Sequence, residues 1–193
     1  MFDGILKKGN FLYFTVLSNL FCVGVLGALV VRTFKDIKRD GKSGVSGVSP
    51  CVKGCCMLCI LLTMSVYHFV LIPYALKMNP YQNLKFSDIV FHYVMPFAVL
   101  FDWILFDEKG GFRWFYPLLW ATVPFVYVLF VFAQSRFEIA DRVNGHMNKY
   151  IYIFLDVGVL GFFDVMVNIV CLAVAFLAVA YLICCVDRIK LEF

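Results

Sequence analysis

Five apolar runs, each about 20 residues long, fix what this chain can become. They are 11–33 (FLYFTVLSNLFCVGVLGALVVRT), 54–76 (GCCMLCILLTMSVYHFVLIPYAL), 88–106 (DIVFHYVMPFAVLFDWILF), 114–135 (WFYPLLWATVPFVYVLFVFAQS) and 161–186 (GFFDVMVNIVCLAVAFLAVAYLICCV). Wound as a helix, a run of this length matches the hydrocarbon thickness of a bilayer. Lipid cannot satisfy open backbone N–H and C=O groups, and the runs are too long and too uniformly apolar for barrel strands. Each therefore reads as a spanning helix. With 63% apolar residues and 22 Phe among 193, one soluble core could not bury the apolar surface. The expected fold is all-α: a polytopic transmembrane helical bundle of about five spans, forming a single integral membrane domain over 1–193. The piece YIYIFLDVGVL (150–160) is too short to span and reads as an interfacial or re-entrant turn, or an extension of the fifth run.

Basic residues set the expected orientation. The loop 34–53 is basic, with a Gly/Ser-rich segment, and reads as cytoplasmic. That placement puts ten Lys and Arg inside and seven outside, with the N-terminus outside and the C-terminus in the cytoplasm of a cell-membrane protein. The first run lacks a small-residue cleavage site, so it reads as a retained span. A net charge of +4 is modest, and no phosphate-binding loop, zinc-protease motif or nucleic-acid module is present. The expected partners are membrane lipids, with no nucleic acid and no cofactor.

The polar residues within the runs carry the functional information. Thr15, Ser18 and Asn19 share one helix face, continued by Cys22. Packing between helices is a sufficient reason for Ser18 and Asn19. In the expected orientation, Thr15 and His92 each lie about 6 Å below their helix starts, on the same side of the membrane. An intramembrane histidine marks a functional site by default. Asp88 lies one turn before His92, and Pro96, four residues on, removes the donor that the His92 carbonyl would otherwise use. His68 reads as a hydrogen-bond partner inside the bundle, and His146 as a solvated loop residue. Asp102 should face the bundle and pair with a donor, either Arg113 or a tyrosine hydroxyl. Asp156 and Asp164, with Asn168, could form a polar pocket or hold a cation weakly, but offer too few oxygen ligands for a metal site. The cluster CVKGCCMLC (51–59) lacks a paired zinc-ligand spacing, and a cytoplasmic position would keep it reduced. No metal is expected.

The segments NFLYFTVLSNL, VYHFVL, FHYVMPFAVLFDWILF, FYPLLWATVPFVYVLF and YIYIFLDVGVLGFF occur in that order and cover almost the whole chain. Their ordered set (YFTxxSN, HxxxP with DW, PxxY, YxYxFxD) resembles a group of small, mostly bacterial multi-helix membrane proteins of unestablished role. That group is distantly similar to the androgen-induced and androgen-dependent TFPI-regulating membrane hydrolases of animals. The resemblance implies cleavage of lipid esters by an intramembrane threonine with a histidine partner, which fall here on Thr15 and His92. It also implies six helices. Only MFDGILKKGN precedes the YFT block, so the first helix of that pattern is expected to be missing. The Ser18-Asn19 pair matches the bacterial group rather than the animal hydrolases. The other reading is a non-enzymatic transporter, lipid-binding or scaffold protein, resting on Asp102, Asp156 and Asp164 with Asn168.

Overall fold

The computed structural model describes residues 12–41, 47–78, 85–135, 139–140, 147–148 and 150–189. Five of its helices are long and apolar enough to cross a membrane. Helix α1 is Phe14–Asp40. Helix α2 runs as Pro50–Val66, passes through a π-helical turn at Tyr67–Leu71 and resumes as Ile72–Met78. Helix α3 is built the same way, from Phe86–Ile89, a π turn at Val90–Val94 and Met95–Phe106. Helix α4 is Tyr116–Gln134. Two-residue strands β1 (Ile139–Ala140) and β2 (Met147–Asn148) pair antiparallel. A 3-10 turn (Ile153–Leu155) and the short α5 (Val157–Leu160) lead into α6 (Phe162–Asp187). The fold is therefore an all-α polytopic bundle of five candidate spans.

Several boundaries differ from the expected ones. α1 continues past 33 to Asp40, and α2 begins at Pro50 instead of 54. Most of the expected 34–53 loop is thus helix. Apolar runs report the hydrocarbon-spanning part of a helix, whereas Lys, Arg and Asp extend it beyond. Lys38 and Arg39 sit in the last turn, where they complement the helix dipole, and Gly41 (φ 73°) ends it. Trp103 and Trp120 are 2% and 1% exposed and so are buried among protein side chains. The segment 1–10, residues 42–46 and His146 lie outside the described residues.

The chain separates into two compact units. One comprises Met1–Phe14 and Trp114–Cys184. Within it, the Phe14 N–H is shared between the hydroxyl oxygens of Tyr127 and Tyr152, each at 3.1 Å. The Tyr127 hydroxyl donates in turn to the Leu12 carbonyl at 2.8 Å. α1 has no acidic residue in its first turn, and these phenols occupy the place of a side-chain cap. Asp156 caps α5 by accepting from the N–H groups of Gly158 and Val159. Asn168 donates to the Phe154 carbonyl at 3.1 Å, and Asp164 is exposed. Two of the three residues read as a polar pocket are thus engaged, one by the cap and one by this turn bond.

The other unit comprises Thr15–Arg113 and Cys185–Phe193. Its helix contacts follow the face read from the sequence. Ser18, Asn19, Cys22 and Val25 are the buried residues of α1. Ser18 Oγ lies 2.8 Å from Thr63 Oγ1 on α2, and Thr63 Oγ1 lies 3.1 Å from the Cys59 carbonyl. Cys22 and Cys56 are both buried, with sulfurs 3.1 Å apart. A disulfide needs a separation of about 2.05 Å, so the pair requires little movement to close. Iodine treatment of membranes is expected to join Cys22 to Cys56, detected by peptide mass spectrometry. Failure of that link in folded protein would contradict this packing of α1 on α2.

Below Cys56, Lys53 is 3% exposed. Its ammonium forms ion pairs with Asp102 (2.6 Å) and Asp107. The partner of Asp102 is therefore Lys53, not Arg113 or a tyrosine. Lys109 donates to the carbonyls of Trp103, Ile104 and Asp107, closing the C-terminus of α3, and stands 4.5 Å above the Trp103 ring. The following loop is tied to Asp187, whose carboxylate accepts from the Phe112 N–H at 2.8 Å and whose carbonyl accepts from the Gly110 N–H at 2.6 Å. Substituting Asp187 by Ala removes a buried acceptor from the Phe112 N–H. The expected loss is about 1–3 kcal/mol, read as a lowered melting temperature in detergent.

Candidate functional site

Thr15 and His92 come together. Thr15 is the second residue of α1 and His92 lies in the π turn of α3. Thr15 Oγ1 is 3.4 Å from His92 Nε2. The His92 ring is held from three sides. Its Nδ1 lies 3.0 Å from the Asp88 backbone carbonyl, one turn earlier. Tyr67 of α2 stacks on its face, with centroids 3.6 Å apart and planes 14° from parallel. His92 is 8% exposed, so its remaining surroundings are protein.

These contacts fix the tautomer. A carbonyl oxygen only accepts, so Nδ1 carries the proton and donates to Asp88. In the neutral ring, Nε2 then holds the lone pair and accepts from the Thr15 hydroxyl. The arrangement is a hydroxyl, a base and an orienting group in line, the pattern of an activated nucleophile. The 3.4 Å separation is longer than a tight hydrogen bond. The Asp88 carboxylate plays no part in orienting His92. It accepts from the Lys85 N–H at 3.1 Å and caps the start of α3.

The supporting residues divide in two. Asn19 donates to the carbonyls of Thr15 (2.7 Å) and Phe91 (3.2 Å), and Ser18 Oγ reaches the Thr15 carbonyl at 3.1 Å. Both therefore sit at the Thr15 site. His68, by contrast, is exposed and meets the Tyr93 hydroxyl at 3.0 Å through Nδ1. It is not in the interior of the bundle. α2 and α3 thus present a crossed set in which Tyr67 stacks on His92 and His68 bonds to Tyr93, each pair joining one π turn to the other. π turns of this kind concentrate at functional positions in helices.

Asp102 is engaged by Lys53, and Asp156 by its own cap. Sequence reasoning missed Tyr67, Thr63 and Lys53. A signal for Tyr67 was present: YHFVLIP and FHYVMP both set a His–aromatic pair shortly before a proline. Among the described residues, no group of three or more His, Cys, Asp or Glu is placed to hold a metal ion. Comparisons with protein-family models, with curated proteins and with solved structures give no match.

Proposed function

We propose that this multi-pass membrane protein hydrolyses lipid esters, with Thr15 as nucleophile and His92 as general acid–base. The observation that carries this reading is the Thr15 Oγ1–His92 Nε2 contact with Nδ1 committed to a carbonyl. His92 Nε2 takes the hydroxyl proton as Thr15 Oγ1 attacks the ester carbonyl. The imidazolium then protonates the departing alkoxide, leaving an acyl-threonine. Water, deprotonated by His92, attacks this ester and releases the carboxylic acid and free Thr15. The first turn of α1 offers backbone N–H groups beyond that of Phe14, which the two phenols hold, to stabilise the developing oxyanion. A position within a span suits a substrate whose acyl chains stay in lipid. In keeping with the basic residues, Thr15 lies toward the outer face of the cell membrane.

The resemblance to the threonine-dependent membrane hydrolases supports the same assignment, residue for residue, at Thr15 and His92. Of the side chains that would favour a transport path, Asp102 is engaged by an ion pair and Asp156 by a helix cap, while Asp164 is exposed. The test is hydrolysis of long-chain fatty-acid esters by purified protein in mixed micelles, followed by release of free fatty acid. Release by the wild type and none by Thr15→Ala supports the reading. Equal release by both proteins contradicts it.

A further inference from the structure

The π turn of α3 creates a backbone problem beside His92, and Asn19 solves it. The Met95 N–H donates to the Val90 carbonyl, five residues back. In an α-helix that N–H would have gone to Phe91. At the five-residue spacing of a π turn, the Phe91 carbonyl would instead look to residue 96, and Pro96 has no N–H. In this winding the proline therefore leaves the Phe91 carbonyl without that donor. Asn19 Nδ2 supplies the missing donor from α1, at 3.2 Å.

The same amide nitrogen donates to the Thr15 carbonyl at 2.7 Å. One NH2 group thus joins the peptide of Thr15 to the peptide preceding His92. Its two hydrogens leave at a fixed angle, so the two carbonyls are held at a set separation. Turning the amide over would aim its oxygen at two acceptors, so its orientation is fixed as well. Asn19 is 6% exposed, and its Oδ1 is buried with no hydrogen-bond partner among the described residues. A bare buried acceptor is unfavourable, and an apolar residue of similar size would pack without that cost. Packing accounts for a buried side chain here, but not for an amide.

We propose that Asn19 is the positioning residue of the Thr15–His92 couple, holding the hydroxyl on α1 opposite the imidazole on α3 by bridging their neighbouring carbonyls. This rests on the hydrolase reading above. It predicts that losing the amide slows the chemical step without weakening substrate binding.

The test measures modification of Thr15 by an alkyl fluorophosphonate, using the full chain in detergent. The rate is followed against probe concentration, giving a maximal rate and a half-saturating concentration. Asn19→Leu is expected to lower the maximal rate at least tenfold and leave half-saturation unchanged. Adding Pro96→Ala to Asn19→Leu returns an N–H to the Phe91 carbonyl, and part of the rate is expected to return. A folded Asn19→Leu protein with the wild-type maximal rate overturns the proposal. Should Asn19→Leu not fold, Asn19→Gln decides, since it keeps both donors but shifts them by one methylene. A several-fold lower maximal rate supports the proposal, and an unchanged rate overturns it. If wild-type Thr15 is not modified at all, the hydrolase reading fails, and this inference with it.

Discussion

Replacing Lys53 by methionine is expected to lower the melting temperature in detergent by on the order of 10 °C at neutral pH. Lys53 is 3% exposed and stands between the carboxylates of Asp102 and Asp107. Removing one member of a buried ionic group leaves the others charged and uncompensated, a loss of about 3–5 kcal/mol when burial is complete. Both carboxylates retain some solvent contact, so the lower part of that range applies: about 3 kcal/mol, or roughly 6–12 °C for a chain of this size. The pH dependence gives a second signature. Burial pushes the Asp107 carboxyl above its ordinary value, and the hydrogen bond and charge of Lys53 pull it back. A carboxyl raised on folding binds protons more readily in the folded state. Its contribution to stability is present below the unfolded value and is lost as pH rises through the raised one. Without Lys53 the rise is larger, so the deficit of Lys53→Met should shrink as pH falls toward the carboxylate range. The triple variant with Asp102→Asn and Asp107→Asn should recover most of the loss. A Lys53→Met protein that melts like the wild type at neutral pH would contradict the ionic account.

The second large effect is expected at His92. Changing it to alanine removes the base, the proton carrier and the stacking partner of Tyr67 together. General acid–base assistance contributes about 10²–10⁴-fold, so acylation of Thr15 should fall by that order. Tyr67→Phe keeps the stacked ring and should cost little, whereas Tyr67→Leu should cost more. Ester hydrolysis by proteoliposomes measures both. Full activity in His92→Ala would remove the general base from the mechanism.

Much of this was legible in the sequence. Apolar runs locate helices when the solvent is lipid, because length and hydropathy alone decide spanning. The face of Thr15, Ser18 and Asn19 followed from helical spacing, and the common depth of Thr15 and His92 followed from their places in the runs. Which residue pairs with which is set by helix rotation and crossing, and that was not legible. Lys53 looked like a loop cation but enters α2 and meets Asp102, because a carboxylate within a span takes a cation that can reach it. Asp88 lies one turn before His92, but its carboxylate is spent on the start of α3 and its backbone carbonyl does the orienting. The π turns were hidden for a related reason. Proline announces a lost donor, but only the local winding shows that the Phe91 carbonyl is left to find one elsewhere.

The central claim is that the Thr15 hydroxyl is a nucleophile activated by His92. Mass-spectrometric mapping of purified protein after exposure to an alkyl fluorophosphonate tests it most directly. The predicted result is one phosphonylated site, Thr15, with the fluoride displaced and the adduct absent from His92→Ala. Unmodified Thr15 in folded wild-type protein, or equal modification of Thr15 in His92→Ala, would contradict it.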